Sequence, residues 1–374
     1  MDFGFTEEQQ DLGALAQRIL EDKVTEGVLR EADQADVRFD REIWTALADA
    51  ELLGISLPTE VGGSGYGLVE QAVVLEQVGR TVAPTPVVAS IVLGAAPIAT
   101  FGTDEQRKRW AAPAATGELV LTAALSEPAN RDLLRPALMA TPDGDGWRLD
   151  GVKTTGPVGT IADAIVVSAS SPDGRPVVVV VERGAAGLTT ELQVVTNRDG
   201  AAHLTFDGVA VGADAVLAGP DTGADVLRWI VERGTVAWCA QQLGVLERML
   251  EMTADYTKER VQFDVPIAMF QAVGHRLADA YIDVEGLRLT LWQAVWRLEE
   301  SLPASTEVEV AKFWAAEAAH RVGHACVHVH GGTGIDEDHP VHRYFIAAKA
   351  IEFALGSATD QLLAIGRTFA ATPE

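Results

Sequence analysis

WRLDGVKTTGPVGTIADAIVVSASSPDGRPVVVVVE, residues 147–182, is the stretch on which the fold turns. Short runs of Val, Ile and Thr at 147–152, 164–168 and 176–181 alternate with Gly, Asp and Pro. That is the texture of strands and tight turns. Residues 119–125 before it, and 189–195 and 202–206 after it, continue the pattern. Outward from this block the period changes to that of helices. On the N-terminal side Phe5, Leu12, Leu15 and Ile19 keep helical spacing, as do Ile43, Leu47 and Leu52 within 40–53. A Pro/Gly-rich loop follows at 58–65, and helical texture resumes at 68–82 and from 104. On the C-terminal side the helical stretches are 225–260, the series Leu277, Tyr281, Val284, Leu287, Leu291, Val295 and Leu298, then 307–330 and 342–369. The expected architecture is α+β: an N-terminal helical domain (1–117), a middle antiparallel β domain (118–222) and a C-terminal four-helix bundle (223–374).

The chain has 374 residues, with 29 basic and 54 acidic side chains and a net charge of −25. Such a surface repels nucleic-acid phosphates and anionic membranes unless a basic patch intervenes, and the sequence has none. Two cysteines, Cys239 and Cys326, exclude a disulfide scaffold and a Cys-rich metal cluster. Both lie in apolar runs, as small core side chains do. The N-terminal MDFGFTEEQQDL is acidic and unlike a signal peptide. The run 87–101 is short for a membrane span and broken by Pro97. A cytoplasmic protein is expected, with no nucleic acid and no membrane among its partners.

His320, His324 and His328 share one helix face. The first and last lie about 12 Å apart, too far for one ion, and no His-Glu-x-x-His pattern accompanies them. No metal site is expected. His330-Gly-Gly-Thr-Gly334 is a glycine-rich loop that allows backbone N–H groups to approach a phosphate, although a plain helix stop explains it equally well. Arg260 ends a helix and offers a planar fork of donors suited to a pyrophosphate. Gln262 adds an amide, Phe263 a flat ring, and Gln271 opens the next helix. Charge compensation at a helix end accounts for Arg260 if the motif stands alone. No Gly-x-Ser-x-Gly elbow or Ser/His/Asp order is present.

Taken together, three pieces resemble the acyl-CoA dehydrogenase family. They are RVQFDVPI (260–267) with FQAVGHRLAD (270–279), VHVHGGTG (327–334), and HPVHRYF (339–345). WRLDGVK (147–153) also resembles the start of that family's middle-domain flavin segment. The resemblance spans essentially the whole chain and implies FAD bound across a dimer interface. One protomer's β domain holds the flavin ring; the neighbour's helices serve the pyrophosphate and adenosine. On that pattern Arg260, Gln262, Phe263, Gln271, His328, Gly331 and Gly332 form the second set, with His328 where the family commonly has Gln.

The same resemblance implies a carboxylate that removes the α-proton of the acyl thioester while hydride leaves the β-carbon. Its two family positions are Leu355 and Gly234 here, and neither side chain takes a proton. Glu352 and Glu232 are the nearby alternatives. The family's Trp-Ile-Thr is Thr155-Gly156-Pro157, and Pro157 has no N–H to give a flavin. Ser126-Glu-Pro128 survives, but Ala129-Asn-Arg-Asp-Leu-Leu134 replaces the glycine-rich stretch after it. This asymmetry resembles the β subunits of actinobacterial heterotetrameric (α2β2) acyl-CoA dehydrogenases of cholesterol catabolism. Those enzymes act on steroid side-chain CoA thioesters such as 3-oxo-cholestenoyl-CoA. A homologous α subunit and an acyl-CoA thioester are the implied partners. Two other readings stay open: a self-sufficient homomeric dehydrogenase with a relocated base, and a non-redox acyl-CoA-binding scaffold.

Overall fold

The computed structural model describes residues 4–371. In chain order its first helices are α1 (Glu7–Lys23), α2 (Glu26–Gln34), α3 (Arg41–Asp49), α4 (Leu68–Arg80), α5 (Ala96–Phe101), α6 (Asp104–Gln106) and α7 (Ala112–Ala115). π-Helical segments lead into α5 and α7. After the sheet come α8 (Gly223–Glu259), α9 (Gln271–Glu299), α10 (Ser305–His330), α11 (Val341–Phe353) and α12 (Ala358–Ala371). The residues fall into two compact units. One holds the chain up to Glu21, Ala72–Ala83 and everything from Thr235; the other holds Asp22–Gln71 and Pro84–Gly234.

The second unit is built on one sheet. Its strands are β1 (Leu121–Ala124), β2 (Met139–Asp143), β3 (Gly146–Gly156), β4 (Ala164–Ser170), β5 (Pro176–Glu182), β6 (Leu188–Leu192), β7 (Ala202–Val211) and β8 (Val216–Ala218). The order is β6-β7-β3-β2-β4-β5-β8, with β1 paired to β4. Alternate residues of β7 (Ala202, Leu204, Phe206) face a core shared with Leu149, Ile165 and Val179. The valine run of β5 is buried on both faces, which is why it reads as continuous rather than alternating. The sheet is mostly antiparallel, as expected, with one correction: β1 and β2 both pair with β4 in parallel. The intervening chain is long enough for the crossover that parallel pairing needs. β2 escaped the sequence reading because it carries Pro142 and is mostly exposed; β8 has three residues.

In the helical unit, Phe5 meets Trp292 edge to face at 4.8 Å, and Ala16 and Leu20 of α1 are fully buried. α4 and α8 cross in close contact through glycines. A Cβ on Gly79 would overlap the Gln241 carbonyl, and one on Gly244 would overlap the Glu76 carbonyl. Arg80, ending α4, pairs with Glu247 (3.2 Å) and Glu251 (2.8 Å), and its carbonyl accepts from the Tyr344 hydroxyl at 2.7 Å.

A second correction concerns 342–369, read as one helix and found as two. Leu355 and Gly356 take positive φ (+55° and +115°), which stops α11. Ser357 and Asp360 then start α12 reciprocally: Ser357 N–H donates to Asp360 Oδ2 (2.9 Å) and Asp360 N–H donates to Ser357 Oγ (3.4 Å).

The glycine crossing is testable. Gly244→Ala should destabilise by about 1–3 kcal/mol through overpacking. Gly274→Ala, where a Cβ meets open space within α9, should be neutral or stabilising by about 0.5–1 kcal/mol. Urea midpoints of the two variants check both signs.

Candidate functional site

All seven residues singled out for a dinucleotide lie in the helical unit. α8 ends at Glu259, and the chain turns through a two-stranded hairpin, β9 (Val261–Gln262) and β10 (Val265–Pro266), before α9. The turn residues Phe263 and Asp264 both have positive φ (+53° and +66°), the backbone a two-residue hairpin requires. Holding a bulky aromatic there costs energy, and the ring gains no burial from it: Phe263 is 88% exposed. Phe270 meets that ring edge-on at 6.2 Å. The strained turn thus leaves an aromatic ring in solvent.

The rest of the set is equally unspent. Arg260, Gln262, Gln271, His328, Gly331 and Gly332 are all exposed. Among the described residues the side chains of Arg260, Gln271 and His328 make no hydrogen bond or ion pair. Gln262 reaches only the neighbouring Val261 carbonyl, at 2.7 Å. A Cβ at Gly331 or Gly332 would meet nothing within 4 Å, and Gly331 has φ +62°. The backbone there is open to a ligand on a side that no side chain covers. Gln271 is the first residue of α9, whose N-cap, Phe270, gives no side-chain cap.

A contact invisible in the sequence joins these pieces. Tyr256, one turn before Arg260, stacks on His330 at 4.4 Å, and His339 lies 4.8 Å from His330. The Tyr256 hydroxyl also donates to the His330 carbonyl (3.4 Å). His330 Nδ1 bonds the Cys326 carbonyl at 2.8 Å, so it carries the proton, and the buried Nε2 is an acceptor without a partner. Burial holds His330 below its ordinary pKa, and His339 adds to that effect. This stack fixes the end of α8 to the Gly331–Gly332 loop. Only aromatic residues at 256, 330 and 339 hinted at it. His328 and Gly331 further line an open groove of about 950 Å³ between α9 and α10, shared with His320 and His324. Arg260, Gln262, Phe263, Gln271 and Gly332 do not line it.

The sheet unit treats its polar groups in the opposite way. Lys153 is fully buried, and its ammonium donates to Glu127 (2.7 Å) and Ser168 (3.0 Å). Glu127 also accepts from the N–H groups of Ala137 (2.6 Å) and Leu138 (2.8 Å) and from Asn130 (2.7 Å), closing the loop 127–138 on itself. Burial pushes Glu127 up, but Lys153 and these donors outweigh it and hold the carboxyl below its usual range. The N–H of Thr154 serves Ser126 (3.0 Å), that of Thr155 serves Gln193 (2.6 Å), and that of Val158 serves Asp199 (3.2 Å). Pro157 has none, and its carbonyl accepts from Thr122.

Family models match residues 6–118 (acyl-CoA dehydrogenase, N-terminal domain) and 221–370 (acyl-CoA dehydrogenase, C-terminal domain). The chain is 46% identical to acyl-CoA dehydrogenase FadE27 of Mycobacterium tuberculosis over all of both chains. The chain belongs to the acyl-CoA dehydrogenase family. Among solved structures it resembles the ChsE4-ChsE5 complex from Mycobacterium tuberculosis (TM-score 0.95, 46% identity, all of both chains). It also resembles a variant of the Tcur3481-Tcur3483 steroid ACAD (TM-score 0.91, 42% identity, 98% of both chains). The fold is that of acyl-CoA dehydrogenases, whose members are FAD flavoproteins. No helix among the described residues is long and apolar enough to cross a membrane, and they hold no cluster of three or more metal-ligating groups.

Of the two residues expected at the family's base positions, Leu355 is half-buried in the turn after α11 and Gly234 is buried within α8. Glu352 is buried and bound to Lys349 Nζ at 2.6 Å, with His320 Nδ1 at 3.6 Å. Glu232 lies half-buried on α8. Lys312, fully buried, donates to the carbonyls of Ile351 (2.6 Å) and Glu352 (3.3 Å) and so caps the end of α11 before Leu355. Burial pushes its pKa down to about 8, against the opposite effects of Cys239 and Glu352.

The folded pKa of Lys312 therefore lies below the unfolded value. From pH 8 to 10.5 the unfolded chain binds the extra proton, so this lysine's contribution to stability rises with pH. Denaturant unfolding of wild type relative to Lys312→Met should show that rise, at up to about 1.4 kcal/mol per pH unit. A pH-independent difference contradicts it.

Proposed function

We propose that this chain is the partner-completing subunit of a heteromeric, FAD-dependent acyl-CoA dehydrogenase. Its helices receive the pyrophosphate and adenosine end of FAD, and the reactive ring and the catalytic carboxylate belong to a homologous α subunit in an α2β2 assembly. The observation that carries this is the contrast between the two units. The helical unit keeps Arg260, Gln262, Phe263, Gln271, His328, Gly331 and Gly332 exposed, while the sheet unit spends its donors around Thr154–Val158 internally. A fork of guanidinium donors, an amide and open glycine backbone suit a pyrophosphate, and an exposed aromatic suits a flat ring.

When bound, FAD accepts the β-hydrogen of the thioester as hydride. This chain's own residues orient the dinucleotide, and none at the family base positions takes the α-proton. The likeness to a complex of two different chains and to a steroid ACAD supports a heteromeric role and a steroid side-chain CoA thioester of cholesterol catabolism as substrate. A cytoplasmic location fits that role. The homomeric reading needs Glu352 or Glu232 to reach substrate; the Glu352 carboxylate is held by Lys349, and Glu232 lies half-buried on α8.

Purified alone, the chain should be colourless and inactive. Co-expressed with its α partner it should yield about one FAD per heterodimer and α,β-dehydrogenation of a steroid acyl-CoA. Arg260→Gln should lower flavin content in the complex, and Glu352→Gln should leave kcat within about twofold. Full flavin loading and turnover by the single chain would overturn the proposal, and a colourless complex with the α partner, carrying no bound flavin, would favour the scaffold reading.

A further inference from the structure

The groove between α9 and α10 holds a cation that none of the functional residues above accounts for. Arg276 and His275 line it, one turn into α9 from Gln271, together with His328 and Gly331. Two arginines face this groove, and they are in different states. Arg321 is saturated: its guanidinium donates to both carboxylate oxygens of Asp283 (2.7 and 2.8 Å) and to Glu317 (2.9 Å). Arg276 is exposed and, among the described residues, makes no ion pair or hydrogen bond, although Asp279 lies one turn away on the same helix.

The local charge is as telling. The chain carries −25 overall, yet the groove sets Arg276 and Arg321 against Asp279 and Asp283, which balance. Asp283 is already neutralised by Arg321. The imidazoles of His275 and His328 line the same groove and add N–H donors to it. Arg321 also pairs with Glu317 beyond the lining, so the uncommitted guanidinium of Arg276 is the cation this groove offers an anion in so acidic a protein. The end of α10 at Gly331 is also the negative end of a helix dipole, so an anion seated beside it needs a nearby cation. A pyrophosphate brings two negative charges, and on the proposed function Arg260, which does not line the groove, answers one of them.

We infer that Arg276, assisted by His275, is a second cationic contact for the phosphates of an adenosine diphosphate group lying along this groove from His328 and Gly331. This rests on the reading that the surface takes the adenosine end of FAD, and it adds a binding residue to it. Arg276 touches no reacting atom; it holds the ligand's charge.

The test is FAD affinity in the assembled complex, followed by flavin fluorescence at several salt concentrations. Arg276→Gln should weaken FAD binding by about tenfold, as loss of one charge-assisted contact does, and flatten the dependence of log Kd on log salt. Arg276→Lys should recover most of the loss. Arg260→Gln is the reference variant. If it loosens FAD while Arg276→Gln changes neither affinity nor salt slope, the role of Arg276 is wrong and the wider reading stands. If neither variant affects FAD, both fail. Should Arg276→Gln not assemble, calorimetric titration of the isolated full chain with ADP decides: binding to wild type and not to the variant supports the inference, and equal binding rejects it.

Discussion

The Glu127–Lys153 pair is the constraint from which the asymmetry of this protein follows. Two opposite charges out of water are tolerable only if every remaining lone pair and proton finds a partner. Here Ser168, Asn130 and the N–H groups of Ala137 and Leu138 supply those partners. Once they are committed, the loop 127–138 is fastened to the sheet. The neighbouring stretch Thr154–Val158 is likewise occupied by Ser126, Gln193 and Asp199. A strand end whose donors at Thr154, Thr155 and Val158 are answered from within has little to offer a flavin.

The helical unit obeys the same rule and reaches the opposite result. Its buried Lys312 is satisfied by two carbonyls at the end of α11. Arg260, Gln271, His328 and the Gly331–Gly332 backbone lie at the surface, where water satisfies them and a ligand replaces the water at low cost. The Tyr256–His330 stack fixes the glycine loop to the end of α8, and the strained hairpin turn presents Phe263 outward. Preorganisation of this kind limits what a ligand must order on binding.

Much of this was legible beforehand. The valine runs at 164–168 and 176–181 announced their strands because continuous β-branched residues fit a sheet covered on both faces. The three-and-four spacing from Leu277 to Leu298 announced α9 for the corresponding reason. β2 and the break at Leu355–Gly356 were not legible. Pro142 and exposed residues hide the first, and the second depends on two φ values that local propensity does not fix. The motifs around Arg260 and Gly331 were visible as residue types; their freedom from intramolecular partners was not.

By itself the sequence determined the order of helical, β and helical segments, because periodicity is a local property; the residues proposed to hold a dinucleotide were named through the family resemblance of their motifs. Only the tertiary structure decided which donors are already used. Whether Lys153 is paired, Arg321 saturated or Arg276 free depends on residues 26, 38 and 3 positions away, with packing choosing among acids that the sequence offers in excess.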